Sequence, residues 1–352
     1  MPYLSADALA GVLREVYVAV GVPPDAAEVV ANAQVEADLA GHASHGVMKT
    51  ADYVALIERG HLVPDAEIEL VDDRPNSAVI DAHWALGFVA TQQAVDLAGD
   101  KAERHGVAAV TVRQQGHIGR LGAYSSRAAQ RGLIGLVTAD SGRAPKSVAP
   151  YGGRGRRLGT NPLSIAVPSG SHGPIVLDMA TATAAKGKLT VARDRGDTVP
   201  EGWLVDADGR PTTDPGAYDE GGALLPLGAD QAYKGFGLSF MIEVLSGLLT
   251  GIGFGTDPDG IHNDGVFIAA FAVDAFRDQG AFERDVDDFV AYLKQTPLAQ
   301  GHDEILYPGE LEHRRAEHYH RDGIPVGSHT LAHLTRVAER LGVETRGLTV
   351  AT

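Results

Sequence analysis

The chain has no cysteine among its 352 residues. That excludes a disulfide framework, a thiolate nucleophile, an iron–sulfur cluster and cysteine-ligated zinc. Positive charge is also scarce: 30 Lys and Arg stand against 46 Asp and Glu, a net charge of −16. A nucleic-acid partner needs a basic face, so none is expected. An anionic cofactor needs only a local cradle of amides and a few cations, and stays open. Long apolar runs are lacking. The most apolar one, Phe236 to Ile252, carries Glu243 and internal glycines, which predicts a buried helix and no membrane role. The opening Met1-Pro2-Tyr3-Leu4-Ser5 has no charged leader region, so no signal peptide is expected and the cytoplasm is the default compartment. The dinucleotide fingerprint GxGxxG is missing too. Gly153-Arg154-Gly155 and Gly251-Ile252-Gly253 lack the third glycine and the flanking strand and helix, which disfavours a Rossmann domain.

What is present reads as an α/β protein. Apolar residues make up 44% and charged residues 22%, enough for two domains or one domain with an appended helical part. Helices are expected over Ser5–Val20, over Asp25–Ala40 with Asp25 as cap and Gly41 as stop, and over Val47–Arg59. The polar stretch Pro64–Ser77 looks like a boundary. Beyond it, short β-branched runs at 78–81, 107–112, 133–138, 163–167 and 175–177 alternate with helices near 89–104 and 121–130. Ala182–Ala229 reads as mostly loop, a length uncommon unless it is functional. The apolar helix, a strand at 266–276 and three helices near 285–294, 310–319 and 330–341 complete the chain.

Several residues carry chemistry at turns. In Gly41-His42-Ala43-Ser44-His45-Gly46, between two helices, His45 is a candidate proton donor, since imidazole titrates near neutrality; the plain alternative is an exposed or structural histidine. His42 and His45, with His313, His318 and His320, raise a metal-dependent hydrolase or lyase as an alternative. A zinc helix, however, needs two histidines four apart with a Glu between, and Gly41 ends the helix before either. The C-terminal cluster reads as a solvated helix surface, and no metal site is expected. Gly116-His117-Ile118-Gly119 lies between a strand and a helix start, where free amides favour anions. Gly159-Thr160-Asn161-Pro162 precedes a strand, and Asp178 ends one, as a turn cap or as a carboxylate orienting a histidine.

Taken in order, Ser44-His45-Gly46, Gly116-His117-Ile118-Gly119, Leu158 to Pro162, Asp178-Met179-Ala180-Thr181, Pro226-Leu227-Gly228, Tyr233 to Gly237 and Tyr307-Pro308-Gly309-Glu310 resemble the malate/L-lactate dehydrogenase family. The resemblance implies a non-Rossmann cofactor domain with a mixed, largely antiparallel sheet over 76–299. A helical, dimer-forming part would come from 1–75 and 300–352. It implies hydride transfer between NAD or NADP and a small 2-hydroxy or 2-oxo acid, with a cyclic-imine-2-carboxylate reductase and a catalytically silent relative as alternatives.

In the reductive direction His45 would give the proton, with Asp178 as its orienting partner and His117 as the competing candidate. Ser44, Lys49 and Tyr53 would meet the substrate, a small carboxylate. Ser44, His117, Gly119, Ser141, Thr160, Asn161, Asp178, Met179, Ala180, Thr181, Tyr233, Lys234, Pro308, Gly309 and Glu310 would meet the cofactor. Lys49 departs from the arginine the family commonly carries there; it keeps the charge and loses the bidentate fork. Arg143, Lys146, Arg154, Arg156 and Arg157 are candidates for a 2′-phosphate, and a homodimer or higher oligomer is implied.

Overall fold

The computed structural model describes residues 2–140, 142–257 and 265–348. Tyr3–Leu4 (β1) leads into Ala6–Ala19 (α1), where Ser5 Oγ accepts the amide of Ala8 at 3.2 Å, satisfying one free donor of the helix start. In the second helix, Pro24–Leu39 (α2), the cap is Pro23 rather than Asp25. Pro24 takes the first helical position, where a missing N–H removes only an orphan donor, and Asp25 falls inside the first turn. Thr50–Glu58 (α3) follows a short turn. Leu13, Val16 and Tyr17 of α1, Val30 and Val35 of α2, and Tyr53 and Ile57 of α3 share one core with Ile324, Leu334 and Ala338 from the other end of the chain.

The central sheet uses Glu69–Arg74 (β2), Ser77–Ala85 (β3), Val107–Gln115 (β4), Leu133–Asp140 (β5), Leu163–Val167 (β6) and Ile175–Met179 (β7). A further strand at Gly265–Ala272 inserts between β4 and β5, giving seven strands. Only β3 and β4 run parallel, joined across Gly87–His105 (α4); every other neighbouring pair is antiparallel. The sheet is thus mixed and largely antiparallel, as expected. Ala90, Ala94, Ala98 and Ala102 give α4 a face of small residues in the core with Val110, Val112 and Ile268. Burying a valine or isoleucine such as these is worth about 1.5–3 kcal/mol relative to exposure. Leu121–Ala129 (α5) packs on β5 and β6. The supposed boundary Pro64–Ser77 contains β2, an edge strand whose Glu69, Asp72, Asp73 and Arg74 hide the strand pattern, as charged edges do.

Ala182–Ala229 is mostly turn and loop, as expected, but it carries regular elements that the sequence did not show. It holds Lys186–Arg195 (α6) and a small sheet of Leu204–Val205 (β8), Pro211–Thr212 (β9) and Ala223–Leu224 (β10), around Leu189, Leu204, Tyr218 and Leu224. Helix α6 buries Leu189 alone, and its neighbouring strands are two residues long, so neither shows a readable period. Tyr233–Ile242 (α7) widens into a π-helical turn over Glu243–Leu248. After Gly265–Ala272 (β11) come Gln279–Lys294 (α8), Glu310–Asp322 (α9), Ile324–Pro325 (β12), which pairs with β1, and Ser328–Arg340 (α10). Among the described residues no helix is long and apolar enough to cross a membrane.

Candidate active site

Two side chains one helical turn apart on α2 hold the loop that bears His45. Gln34 accepts the Tyr17 hydroxyl at 2.7 Å and donates to the carbonyl of Gly46 at 3.0 Å. Asp38 Oδ2 accepts the amide of Val47 at 2.8 Å. A Cβ on Gly46 would stand 2.2 Å from the Asp38 carboxyl, so a glycine is required where loop and helix meet. Burial pushes the Asp38 carboxyl up to about 7, with the Val47 amide pulling the other way. His45 closes the turn Ala43–His45, with its Nδ1 2.9 Å from Ser44 Oγ.

His117 enters from the loop after β4. The amide of Gly119 donates to its Nδ1 at 3.1 Å, and the Tyr53 hydroxyl lies 2.7 Å from the same nitrogen. An amide can only donate, so Nδ1 is an acceptor, Tyr53 donates, and the neutral ring carries its proton on Nε2. Gly119 has φ +75°, and a Cβ there would come within 2.4 Å of Phe88. The rings of His45 and His117 stack with centroids 5.7 Å apart.

Asp178, near the end of β7, accepts the amide of Gly122 in the first turn of α5 at 2.8 Å, where the helix end favours an anion. Arg120 Nε stands 3.5 Å from Asp178, and its Nη1 lies 3.6 Å from Glu36. Burial raises the carboxyls of both Asp178 and Glu36, and Arg120 opposes the rise in each. His42, 3.6 Å from Glu312, is held below the usual imidazole range by burial first and by Arg120 second.

These groups surround a cavity of about 320 Å³. His45, His117, Gly119, Thr160, Asn161, Asp178, Met179 and Ala180, all expected from the sequence, line it. Thr181 lies just behind, donating to the carbonyls of Thr160 and Asn161. Tyr53 is buried and reaches the site through His117. Pro308 and Gly309 border a smaller neighbouring cavity that shares His42, Arg120 and Asp178.

The remaining candidates stand elsewhere. Lys49 is paired with Asp52 at 2.9 Å, with 40% of its side chain exposed. Tyr233 packs edge-on to Tyr151 at the start of α7, with Lys234 beside it. The Glu310 carboxylate is taken by Lys294, Arg314 and the amide of Tyr307. Ser141 lies outside the described residues.

Three charged groups were missed, Arg120 and Asp140 in the wall and Glu243 behind it, and His42, read only as a possible metal ligand, stands in the wall as well. Lys146, considered above for a 2′-phosphate, is instead buried 3.2 Å from Asp140 and 3.6 Å from Glu243. Glu243 also accepts Asn161 Nδ2 at 2.8 Å, and Asn161 Oδ1 is left buried with no hydrogen-bond partner among the described residues. Burial raises the Asp140 carboxyl against the pull of Lys146. The one sequence signal for this cluster was a glutamate inside an apolar run.

A family model described as malate/L-lactate dehydrogenase matches residues 4–335. The L-sulfolactate dehydrogenase of Methanothermobacter thermautotrophicus is 33% identical over 338 residues, covering 94% of this chain and 95% of that protein. The malate dehydrogenase of Pyrococcus horikoshii is 34% identical, covering 96% and 95%. The solved sulfolactate dehydrogenase of Methanocaldococcus jannaschii superposes with a TM-score of 0.89 at 34% identity, over 97% of this chain and 98% of that one.

Proposed function

This chain belongs to the malate/L-lactate dehydrogenase family, and from that premise we propose that it interconverts a small 2-hydroxy acid and its 2-oxo acid with a nicotinamide dinucleotide, using His45 for proton transfer. The observation that carries the reading is the stacked pair His45 and His117 in one cavity wall. A volume of about 320 Å³ is at the small end for ligand sites and suits a ring-sized group beside a small acid. The residues also fit the cofactor: Asn161 Oδ1 is a buried acceptor without a partner among the described residues, which the N–H of a carboxamide would satisfy. Thr160, Asn161 and the segment Asp178–Ala180 would hold the dinucleotide, which when bound supplies the hydride acceptor or donor.

The two histidines differ in what they can do. With Gly119 N–H fixed against Nδ1, His117 presents Nε2–H to the substrate oxygen, and a second ring proton would face that amide head-on. His117 is therefore the neutral hydrogen-bond donor. His45 has at Nδ1 a serine hydroxyl, which can donate or accept, so the ring can cycle between its protonated and neutral forms. In the reductive direction His45 protonates the developing alkoxide; in the oxidative direction it takes the hydroxyl proton. The metal-dependent alternative has no group of three ligating side chains among the described residues. We further propose a homodimer formed through the outer face of α7 and its continuation, where Phe240, Met241, Leu248 and Leu249 are exposed, rather than through the terminal helices.

The test is a turnover panel with NADH and with NADPH against pyruvate, oxaloacetate, sulfopyruvate, diketogulonate and piperideine-2-carboxylate. Turnover of a 2-oxo acid is expected and selects the cofactor. Turnover of the cyclic imine alone would replace the ketone by an imine as substrate. Absence of cofactor binding would refute the reading.

A further inference from the structure

Among the described residues that line the cavity, Arg120 is the only lysine or arginine. A guanidinium carries five N–H donors in a planar fork. Arg120 is 10% exposed, and its Nε is sealed from solvent with no hydrogen-bond partner among the described residues. Its two carboxylate neighbours, Asp178 and Glu36, stand at 3.5 and 3.6 Å, beyond the ~2.7–2.9 Å of a charge-assisted hydrogen bond. They balance its charge and leave Nε without a hydrogen bond. Buried polar groups are normally bonded, so the exception asks for a missing acceptor.

The surroundings keep the site clear. A Cβ on Gly122 would lie 2.8 Å from both Arg120 Nη2 and Asp178 Oδ2, so a side chain there would displace the pair. The positive charge expected from Lys49 is spent at the surface on Asp52. Arg120, three residues beyond His117, is on the cavity side.

We infer that Arg120 grips an anionic pair of ligand oxygens: the carboxylate of the hydroxy acid or the diphosphate of the cofactor. This rests on the function proposed above. Both sources present the same chemistry to the fork, and direct binding separates them.

The experiment is calorimetry on the wild type, Arg120→Gln and Arg120→Lys. It uses NADH and NADPH, ADP-ribose as the diphosphate probe, and oxalate titrated into the cofactor-bound enzyme. Loss of a charge-assisted bidentate contact should weaken one probe about 10- to 100-fold in Arg120→Gln, with the other changed less than about threefold. Loss confined to oxalate assigns the carboxylate; loss confined to ADP-ribose assigns the diphosphate. Unchanged affinity for both, or an equal loss of both with a lower unfolding midpoint, overturns the inference. Arg120→Lys keeps the charge without the fork. If Arg120→Gln does not fold, the lysine variant decides: a selective loss supports the grip, and wild-type affinities for both probes reject it. A wild type that binds neither reduced cofactor refutes the functional reading itself, whereas normal cofactor binding with insensitive variants refutes only the role of Arg120.

Discussion

Asp38→Asn isolates the carboxyl that anchors the His45 loop. The Asp38 side chain is buried, accepts Val47 N–H at 2.8 Å, and has its carboxyl pushed up to about 7 by burial. In the unfolded chain the same group ionises near the ordinary aspartate value of ~3.9. Between those limits the unfolded state loses its proton and the folded state keeps it. The wild type therefore loses stability as pH rises, by about 1.4 kcal/mol per pH unit and by about 4 kcal/mol over the whole window as an upper bound. Asparagine has nothing to titrate, and its amide oxygen can still accept the Val47 amide. The stability of Asp38→Asn minus that of the wild type should thus climb from pH 4 to pH 7 and level off above. Urea unfolding at half-unit steps between pH 4.5 and 8.5 measures it. A difference that stays flat across the range would refute the argument that burial, and not the Val47 hydrogen bond, dominates this site. Turnover of the variant should stay within about threefold of wild type, because the loop contact survives, while Asp38→Ala removes it at about 1–3 kcal/mol.

His45→Ala should lower turnover by ~10²–10⁴-fold with cofactor affinity nearly unchanged, as steady-state kinetics and a cofactor titration would show; a loss below tenfold would transfer the proton step to another group. Gly119→Ala puts a Cβ at φ +75° and 2.4 Å from Phe88, so thermal melting should report a loss of roughly 2 kcal/mol, and turnover should fall as the amide on His117 Nδ1 shifts. Lys146→Met leaves Asp140 and Glu243 together without their buried cation, a loss of about 3–5 kcal/mol in urea unfolding. With Asp140 already raised to about 7, that loss should be larger at pH 8 than at pH 5, where the carboxyl is protonated in either case.

The sequence by itself determined the features that depend on near neighbours. The period of the apolar residues set out the terminal helices and six strands of the central sheet, all but the charged edge strand β2, and the glycine-flanked turns located His45 and His117. The missing glycine fingerprint argued against a Rossmann cofactor site. Only the tertiary structure decided which charges work at the cavity. Asp178 meets Gly122 across 56 residues, and Asn161 meets Glu243 across 82. Nothing local marks such pairs, because they exist only after the sheet order β2-β3-β4-β11-β5-β6-β7 has brought the strand ends together. The same holds for Lys49 and Arg120. Both are cations near a histidine in the chain, but α3 turns the first toward Asp52 and water, and the start of α5 turns the second into the cavity. Burial, which fixes both the protonation of Asp38 and the unsatisfied Nε of Arg120, is a property of the packed molecule and has no counterpart in the order of residues.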